Sequence, residues 1–391
     1  MKYRQSIETV ALAMLVLVAN GLVMAVLTMV EAEAGERTAA MPPIVVEPAK
    51  SATLPELMTK LRNERLVYVG ETHTAYGDHV LQLDVLRAMA AHEGELAVGV
   101  EWFQARFQPV LDDYLAGRIS EAEFLRDTEY YERWRFDYRL YRPIVRFARE
   151  NGIPIIALNA DQELTSEIRR VGIDGLSGEL RRELPDDYDF SDKTYEELLR
   201  EIFDLHQSED AQFQRFLEVQ LTWDESMAQR VAAYLQQHPA GRILVLAGKG
   251  HVSTRAGIPA RVTRRTGIRG TTIATFSPSS TLSNEADYLV LANDENLPPA
   301  GLMGVFLDER EDGVFVKGFG HDSPAQQAGV SEGDLIVSID GQPIHHFADV
   351  KIQTIDKRPG DEIELTYSHQ RVLLGPETRS ARFKLAGESP H

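Results

Sequence analysis

The stretch Leu66-Val67-Tyr68-Val69-Gly70-Glu71-Thr72-His73 decides the fold class: an apolar run stops at a glycine and at once presents a carboxylate and an imidazole. Three later runs end in the same way. Leu96-Ala97-Val98-Gly99-Val100 is followed by Glu101, Ile153-Pro154-Ile155-Ile156-Ala157-Leu158 by Asn159, and Arg242-Ile243-Leu244-Val245-Leu246-Ala247 by Gly248-Lys249-Gly250-His251. Thr271 to Phe276 and Asp287 to Ala292 read as fifth and sixth strands. Between the runs lie helical patterns at His79 to His92, Phe107 to Leu115 and Glu121 to Glu150. Strands apolar at nearly every position, alternating with helices, predict an α/β fold: a mostly parallel sheet buried on both faces.

In such a sheet the ligand site lies beyond the carboxyl ends of the strands. Glu71, His73, Glu101, Asn159 and His251 are therefore expected at one edge. Gly70 and Gly248 suit the sharp turns that this requires. The spacing Gly-x-x-His alone is weak: 28 glycines and 11 histidines in 391 residues give about one by chance, and the chain holds three. Gly318-Phe319-Gly320-His321 lacks companion groups and reads as a coincidence. His73 and His251 also fit hydrogen-bonded turn histidines. Glu101 fits a helix N-terminal carboxylate, Asn159 an Asx turn, and His79 the opening of a helix. As a site, His73, Glu101 and His251 are the expected metal ligands, with Glu71 or Glu101 as general base toward a bound water if the protein is a hydrolase. Imidazole and carboxylate without thiolate suit Zn, Mn, Fe or Co.

The composition narrows the function. A net charge of −19 disfavours nucleic acid, whose phosphates demand a basic surface. The chain has no cysteine, which excludes disulfides, thiolate metal sites and cysteine nucleophiles. Lys2 and Arg4 precede an apolar run from about Thr9 to Val30, and Ala32-Glu33-Ala34 follows as a small-x-small cleavage pattern. Residues 1–34 are thus expected to be a signal peptide, or an uncleaved anchor in the inner membrane, since the run is long enough to span one. The expectation is an exported, periplasmic protein. Residues 35–52 form a spacer, 53–293 the α/β unit and 294–300 a proline-bearing linker.

Six ordered blocks resemble the ChaN family, the haem-binding-uptake branch of the Tiki superfamily. They are Val69 to His73, Val98 to Phe103, Trp134 to Ile144, the Asn159-Ala160 turn, Trp223 to Ala228 and Gly248 to His251. The resemblance implies an exported haem- or iron-binding protein on an α/β fold; a homodimer sharing a haem between its protomers is a separate, open expectation. The superfamily marker, a Gly-x-x-His pair plus a glutamate, falls on His73, His251 and Glu101. In the Tiki branch these groups serve a metal-dependent protease. The lipoprotein cysteine usual in ChaN is missing, which leaves the mode of membrane association open.

Tyr130 to Phe147 is rich in aromatic residues, and Trp134, Tyr138 and Tyr141 are the candidates to sandwich a porphyrin or ligate ferric iron. Helix-packing core is the alternative for each. Residues 175–222 form a charged helical excursion, read either as a lid over the strand ends or as an exposed insertion. Its acidic strip, Glu183, Asp186, Asp187, Asp189 and Asp192, reads as a solvated face.

Beyond Ala300 short strands and turns take over. Gly301-Leu302-Met303-Gly304-Val305-Phe306, Gly313 to Lys317, Ser323 to Val330 and Gly333 to Gly341 resemble, in order, a bacterial protease-associated PDZ domain, a small mainly-β unit over 301–388. The resemblance implies that a partner's C-terminal or extended peptide adds to an exposed strand edge, its carboxylate held by Gly301, Leu302, Met303, Gly304 and Val305. A helix is expected from about Phe347. The combined expectation is a haem- or iron-binding protein with a peptide-recruiting module. A metal-dependent hydrolase with PDZ substrate recruitment and a non-catalytic periplasmic adaptor are the alternatives.

Overall fold

The computed structural model describes residues 52–62, 64–204, 210–253, 255–276, 286–291, 295–371 and 375–387. The expected signal or anchor segment, and all but the last residue of the expected spacer, lie outside these. Among the described residues no helix is long and apolar enough to cross a membrane.

Six strands form the first sheet: β1 (Leu66–Glu71), β2 (Leu96–Gln104), β3 (Ile155–Asn159), β4 (Arg242–Gly248), β5 (Thr271–Phe276) and β6 (Tyr288–Leu291). Their order is β3-β2-β4-β1-β5-β6, with every pairing parallel. Every residue of β1 and β4 is buried, as their unbroken apolar character demands. Alternation sends Val67 and Val69 into the core on one face, with Leu86, Val98 and Tyr141, and Leu66 and Tyr68 into the core on the other, with Met227, Val231 and Val262. From β1 the chain first builds outward through β2 and β3. It then returns to insert β4 between β1 and β2, and adds β5 and β6 on the far side. The carboxyl ends of β1, β4 and β2 therefore meet where the winding reverses, which is where open α/β sheets place ligands.

Two sequence expectations are corrected here. β2 does not stop at Val100 but runs to Gln104, with a register shift against β3 between those residues. Its pairing with β4 does end at the Val100–Leu246 pair, so Glu101 clears its neighbour while still inside the strand. The helical pattern from Glu121 to Glu150 is also broken, into Glu121–Asp127, Tyr130–Arg133 and Tyr138–Glu150. Glu129 and Arg135 adopt left-handed backbone angles, φ 50° and 70°, and no α-helix continues through such residues. Asp137 then caps the last helix by accepting from the Arg139 N–H at 2.9 Å.

The second sheet is antiparallel, ordered β12-β11-β9-β8-β7, with β10 paired to β9. Its strands are β7 (Val305–Arg310), β8 (Gly313–Phe319), β9 (Leu335–Ile339), β10 (Gln342–Pro343), β11 (Glu362–Arg371) and β12 (Gly375–Lys384). Among the described residues β7 pairs only with β8, leaving one edge open. The helix Phe347–Thr354 packs against the helices Glu121–Asp127 and Tyr130–Arg133 of the first unit. Ala348 and Ile352 join that unit's core. Arg126 pairs with Asp349, and Arg142 bridges Glu121 and Asp356.

Candidate functional site

β1 delivers Glu71 as its last residue and His73 two positions on. The Glu71 carboxylate is enclosed and accepts from His73 Nδ1 at 2.6 Å. The buried His79, inside the helix Tyr76–Ala90, donates from Nε2 to the His73 carbonyl at 3.1 Å. It supports the turn from behind and is not a ligand facing the edge. The His73 side chain is 23% exposed. Its ring meets Trp134 edge-on at 4.9 Å and Phe136 at 4.7 Å between centroids. These two rings reach it because the left-handed residues Glu129 and Arg135 turn the chain back over the edge of the sheet.

His251 arrives on the short helix Lys249–Val252 that follows β4 directly. Its Nδ1 donates to Asp224 at 2.6 Å, and its Nε2 lies 3.5 Å from Glu101 Oε1. The other Glu101 oxygen accepts the Gly248 N–H at 2.6 Å. A Cβ on Gly248 would stand 2.9 Å from His73 Cε1 and 3.5 Å from Glu101 Oε2, so the absent side chain is what lets the groups converge. The structure thus brings together Glu71, His73, Glu101 and His251. Asn159 stands apart: it pairs with Gln104 on the far side of β2, and its Oδ1 is enclosed without a partner among the described residues. His321 is exposed beside Asp322 in the second unit.

The electrostatics are those of imidazoles set among carboxylates. Burial alone would lower the His73 pKa, but the bond to Glu71 and the charges of Glu71 and Glu101 outweigh it and raise the group overall. For His251 burial again opposes, while Asp224 and Glu101 prevail and push it up to about 9. Tyr141 is driven up by burial first, then by the charges of Glu71 and Glu101.

The sequence-level ligand candidates fare unequally. Among the described residues no group of three His, Asp or Glu is disposed to hold a metal ion. Both Nδ1 atoms are engaged and one Glu101 oxygen is taken by a backbone amide. Of the aromatic candidates, Trp134 is half-buried against His73, whereas Tyr138 and Tyr141 are fully buried in the core. Tyr138 packs on Phe124 and Tyr130. Tyr141 lies behind the site against Trp102 and His79, and burial of both phenols opposes the tyrosinate that iron ligation needs. The Tyr141 phenol and the Trp134 indole interact with each other, and among the described residues Glu71 Oε2 is enclosed without a hydrogen-bond partner. A partly exposed imidazole held from behind by a carboxylate, with the flat rings of Trp134 and Phe136 beside it, fits an amphipathic, iron-bearing ligand.

Sequence reasoning passed over two residues. Asp224 lay inside a quoted block without a role, and Tyr195 went unmarked in the excursion. Tyr195 Oη donates to Asp224 at 2.6 Å. The acidic strip is also more than a solvated face, because Asp187 and Asp189 pair with Arg264.

At the second unit, the Gly301 and Leu302 N–H groups donate to the Lys357 and Ala386 carbonyls. Those two amides are therefore already engaged and are not available to hold a peptide carboxylate. Phe306 on the open edge strand is 60% exposed.

Comparison with known proteins agrees with this architecture. A PDZ-domain profile matches residues 301–381. The PDZ domain of a carboxy-terminal protease from Vibrio cholerae, solved with a peptide, is 16% identical with a TM-score of 0.20, covering 24% of this chain and 99% of that one. ChaN of Campylobacter jejuni, described for cofacial heme binding, is 17% identical with a TM-score of 0.48, covering 61% of this chain and 91% of that one. Protein RETICULATA-RELATED 5, chloroplastic, of Arabidopsis thaliana is 28% identical over 130 residues, 32% of this chain but only 17% of that protein's length. The profile of the family described as haem-binding uptake, Tiki superfamily, ChaN matches residues 57–262, more than half the chain, and the protein belongs to that family.

Proposed function

We propose that this protein binds haem at the carboxyl edge of its parallel sheet and that its PDZ unit recruits the terminus of a partner protein. The observation that carries the first part is the placement of His73. In a member of a haem-binding family, it is the more exposed of the two edge imidazoles, its Nδ1 is held by Glu71, and its ring lies against Trp134 and Phe136. His73 would hold the iron, and Trp134 and Phe136 would lie against the macrocycle. Haem supplies an iron centre that takes an imidazole and a flat apolar face that stacks on aromatic rings. Glu71 orients the donor by accepting its Nδ1 proton, as carboxylates behind ligating histidines do. Haemin titration of the purified protein tests the reading: a Soret shift in the wild type that His73→Ala abolishes supports it, and no shift in the wild type ends it.

Export is part of the same proposal, supported by Lys2, Arg4, the apolar run and Ala32-Glu33-Ala34. Cell fractionation with a tagged full-length chain checks it. For the PDZ unit, the open edge of β7 and the exposed Phe306 support peptide addition.

A further inference from the structure

The two carboxylate–imidazole pairs at the sheet edge are alike in length and unlike in support. Glu71 gives one oxygen to His73 Nδ1, and among the described residues its Oε2 has no hydrogen-bond partner. Asp224, equally enclosed, has both oxygens occupied: Oδ1 accepts from His251 Nδ1 and Oδ2 from Tyr195 Oη, each at 2.6 Å. A carboxylate bonded through both oxygens cannot rotate without breaking a charge-assisted bond. One with a spare oxygen turns at lower cost.

Tyr195 is itself held firmly. It is 2% exposed, on the helix Lys193–Asp204 of the excursion between β3 and β4. The Arg261 guanidinium lies 4.1 Å from its ring centroid and also pairs with the buried Glu225. That helix packs through Leu199 and Phe203 onto Phe213 and Leu217 of the long helix that carries Asp224. The excursion therefore contributes a hydrogen bond to the support of the site. On the opposite side of His251, Nε2 faces Glu101, whose own orientation is pinned by the Gly248 N–H.

We propose that Tyr195 and Asp224 are positioning residues that lock His251, with Nδ1 turned to the excursion and Nε2 turned to Glu101, and that His73 is the movable donor of the pair. The site then has one rigid wall and one adaptable wall. A bulky ligand entering beside Trp134 is met by the imidazole that can shift, while His251 and Glu101 keep their places.

The proposal rests on this edge being the ligand site, but its test needs no ligand, so a failure to bind haemin is read separately. The full chain labelled with 15N-histidine is followed by NMR through the imidazole N–H protons and their exchange with water. In the wild type the His251 Nδ1 proton is expected to exchange slowly and the His73 Nδ1 proton fast. Tyr195→Phe keeps the ring against Arg261 and is expected to speed the His251 exchange by roughly tenfold, the factor that corresponds to the loss of one hydrogen bond. The His79 Nε2 proton, buried on the His73 carbonyl, serves as the unaffected control. Asp224→Asn keeps one acceptor oxygen but loses the charge and the second acceptor, and is expected to weaken the Nδ1 bond and speed the His251 exchange as well. Equal exchange at His73 and His251 in the wild type, or no change at His251 in either variant, overturns the proposal.

Discussion

The Arg126 guanidinium donates from Nε to the Asp349 carboxylate at 3.0 Å, joining a helix of the haem-binding-family unit to the helix of the PDZ unit. The two ends of this pair are not equivalent. Arg126 is 44% exposed, whereas the Asp349 side chain is 3% exposed and also accepts the His345 and His346 N–H groups. Arg126→Ala is expected to cost about 0.5 kcal/mol, as exposed ion-pair partners do. Asp349→Ala should cost about 2 kcal/mol, because it leaves a helix start without its cap. Urea denaturation of the two variants measures the difference, and equal losses would contradict this account.

Stability should fall in mildly alkaline solution. The His251 pKa is raised in the folded protein, with Asp224 and Glu101 overcoming the effect of burial, to about 9 against an ordinary 6.5. A raised folded pKa means that the charged imidazolium stabilises the fold fully below about pH 6.5, and that this contribution, up to about 3 kcal/mol, is lost as pH rises through 9. Melting temperatures from pH 6 to 10 should decline in the wild type. The decline should be shallower in His251→Gln, which has no proton to lose.

Gly248 is the position where a single methyl is most informative. Its backbone lies in an ordinary region, φ −55°, so alanine brings no backbone strain. The new Cβ would press on His73 Cε1 at 2.9 Å. Overpacking of this kind costs about 1–3 kcal/mol, and here it can be relieved by displacing His73 toward solvent. Gly248→Ala should therefore keep a native circular dichroism spectrum and lose haemin affinity. Unchanged affinity would show that His73 is not the donor.

In the PDZ unit, Gly304 is a poor place to test peptide capture. It sits at φ +74°, and a Cβ would meet the Ser323 Cα at 2.8 Å, so any side chain disturbs the loop itself. Gly304→Asp should lower the melting temperature of this unit. Phe306→Ala, at an exposed position on the open strand, should leave the melting temperature within about a degree or two, since surface changes are usually within about 0.5 kcal/mol. Weaker binding of C-terminal peptides by Phe306→Ala, read by fluorescence anisotropy, would place the ligand on that edge. Wild-type binding would remove Phe306 from it.

The central strands β1, β2 and β4 were the most legible because each is buried on both faces and so carries a strong apolar signal. For the same reason the chain positions of Glu71, Glu101, His73 and His251 could be read without coordinates, since strand ends are marked by the change from apolar to polar residues. The aromatic stretch was less tractable. Tyr138 and Tyr141 stand three apart on one face of an amphipathic helix, a spacing that suits core packing and ligand contact equally. Only burial separates them from Trp134, which left-handed turns at Glu129 and Arg135 carry to His73.

By itself, then, the amino-acid sequence determined the α/β class, the sheet edge that gathers the polar strand endings, and the change to a PDZ unit after residue 300. All of these rest on local patterning of apolar residues and glycines along the chain. What only the tertiary structure decided was which groups stand behind the histidines. Asp224 is 27 residues from His251 and Tyr195 is 29 from Asp224, and no periodicity links them. Their meeting depends on β4 inserting between β1 and β2 and on the excursion packing onto the long helix. Hydrogen bonds between distant segments are set by packing, and residue spacing carries no trace of them.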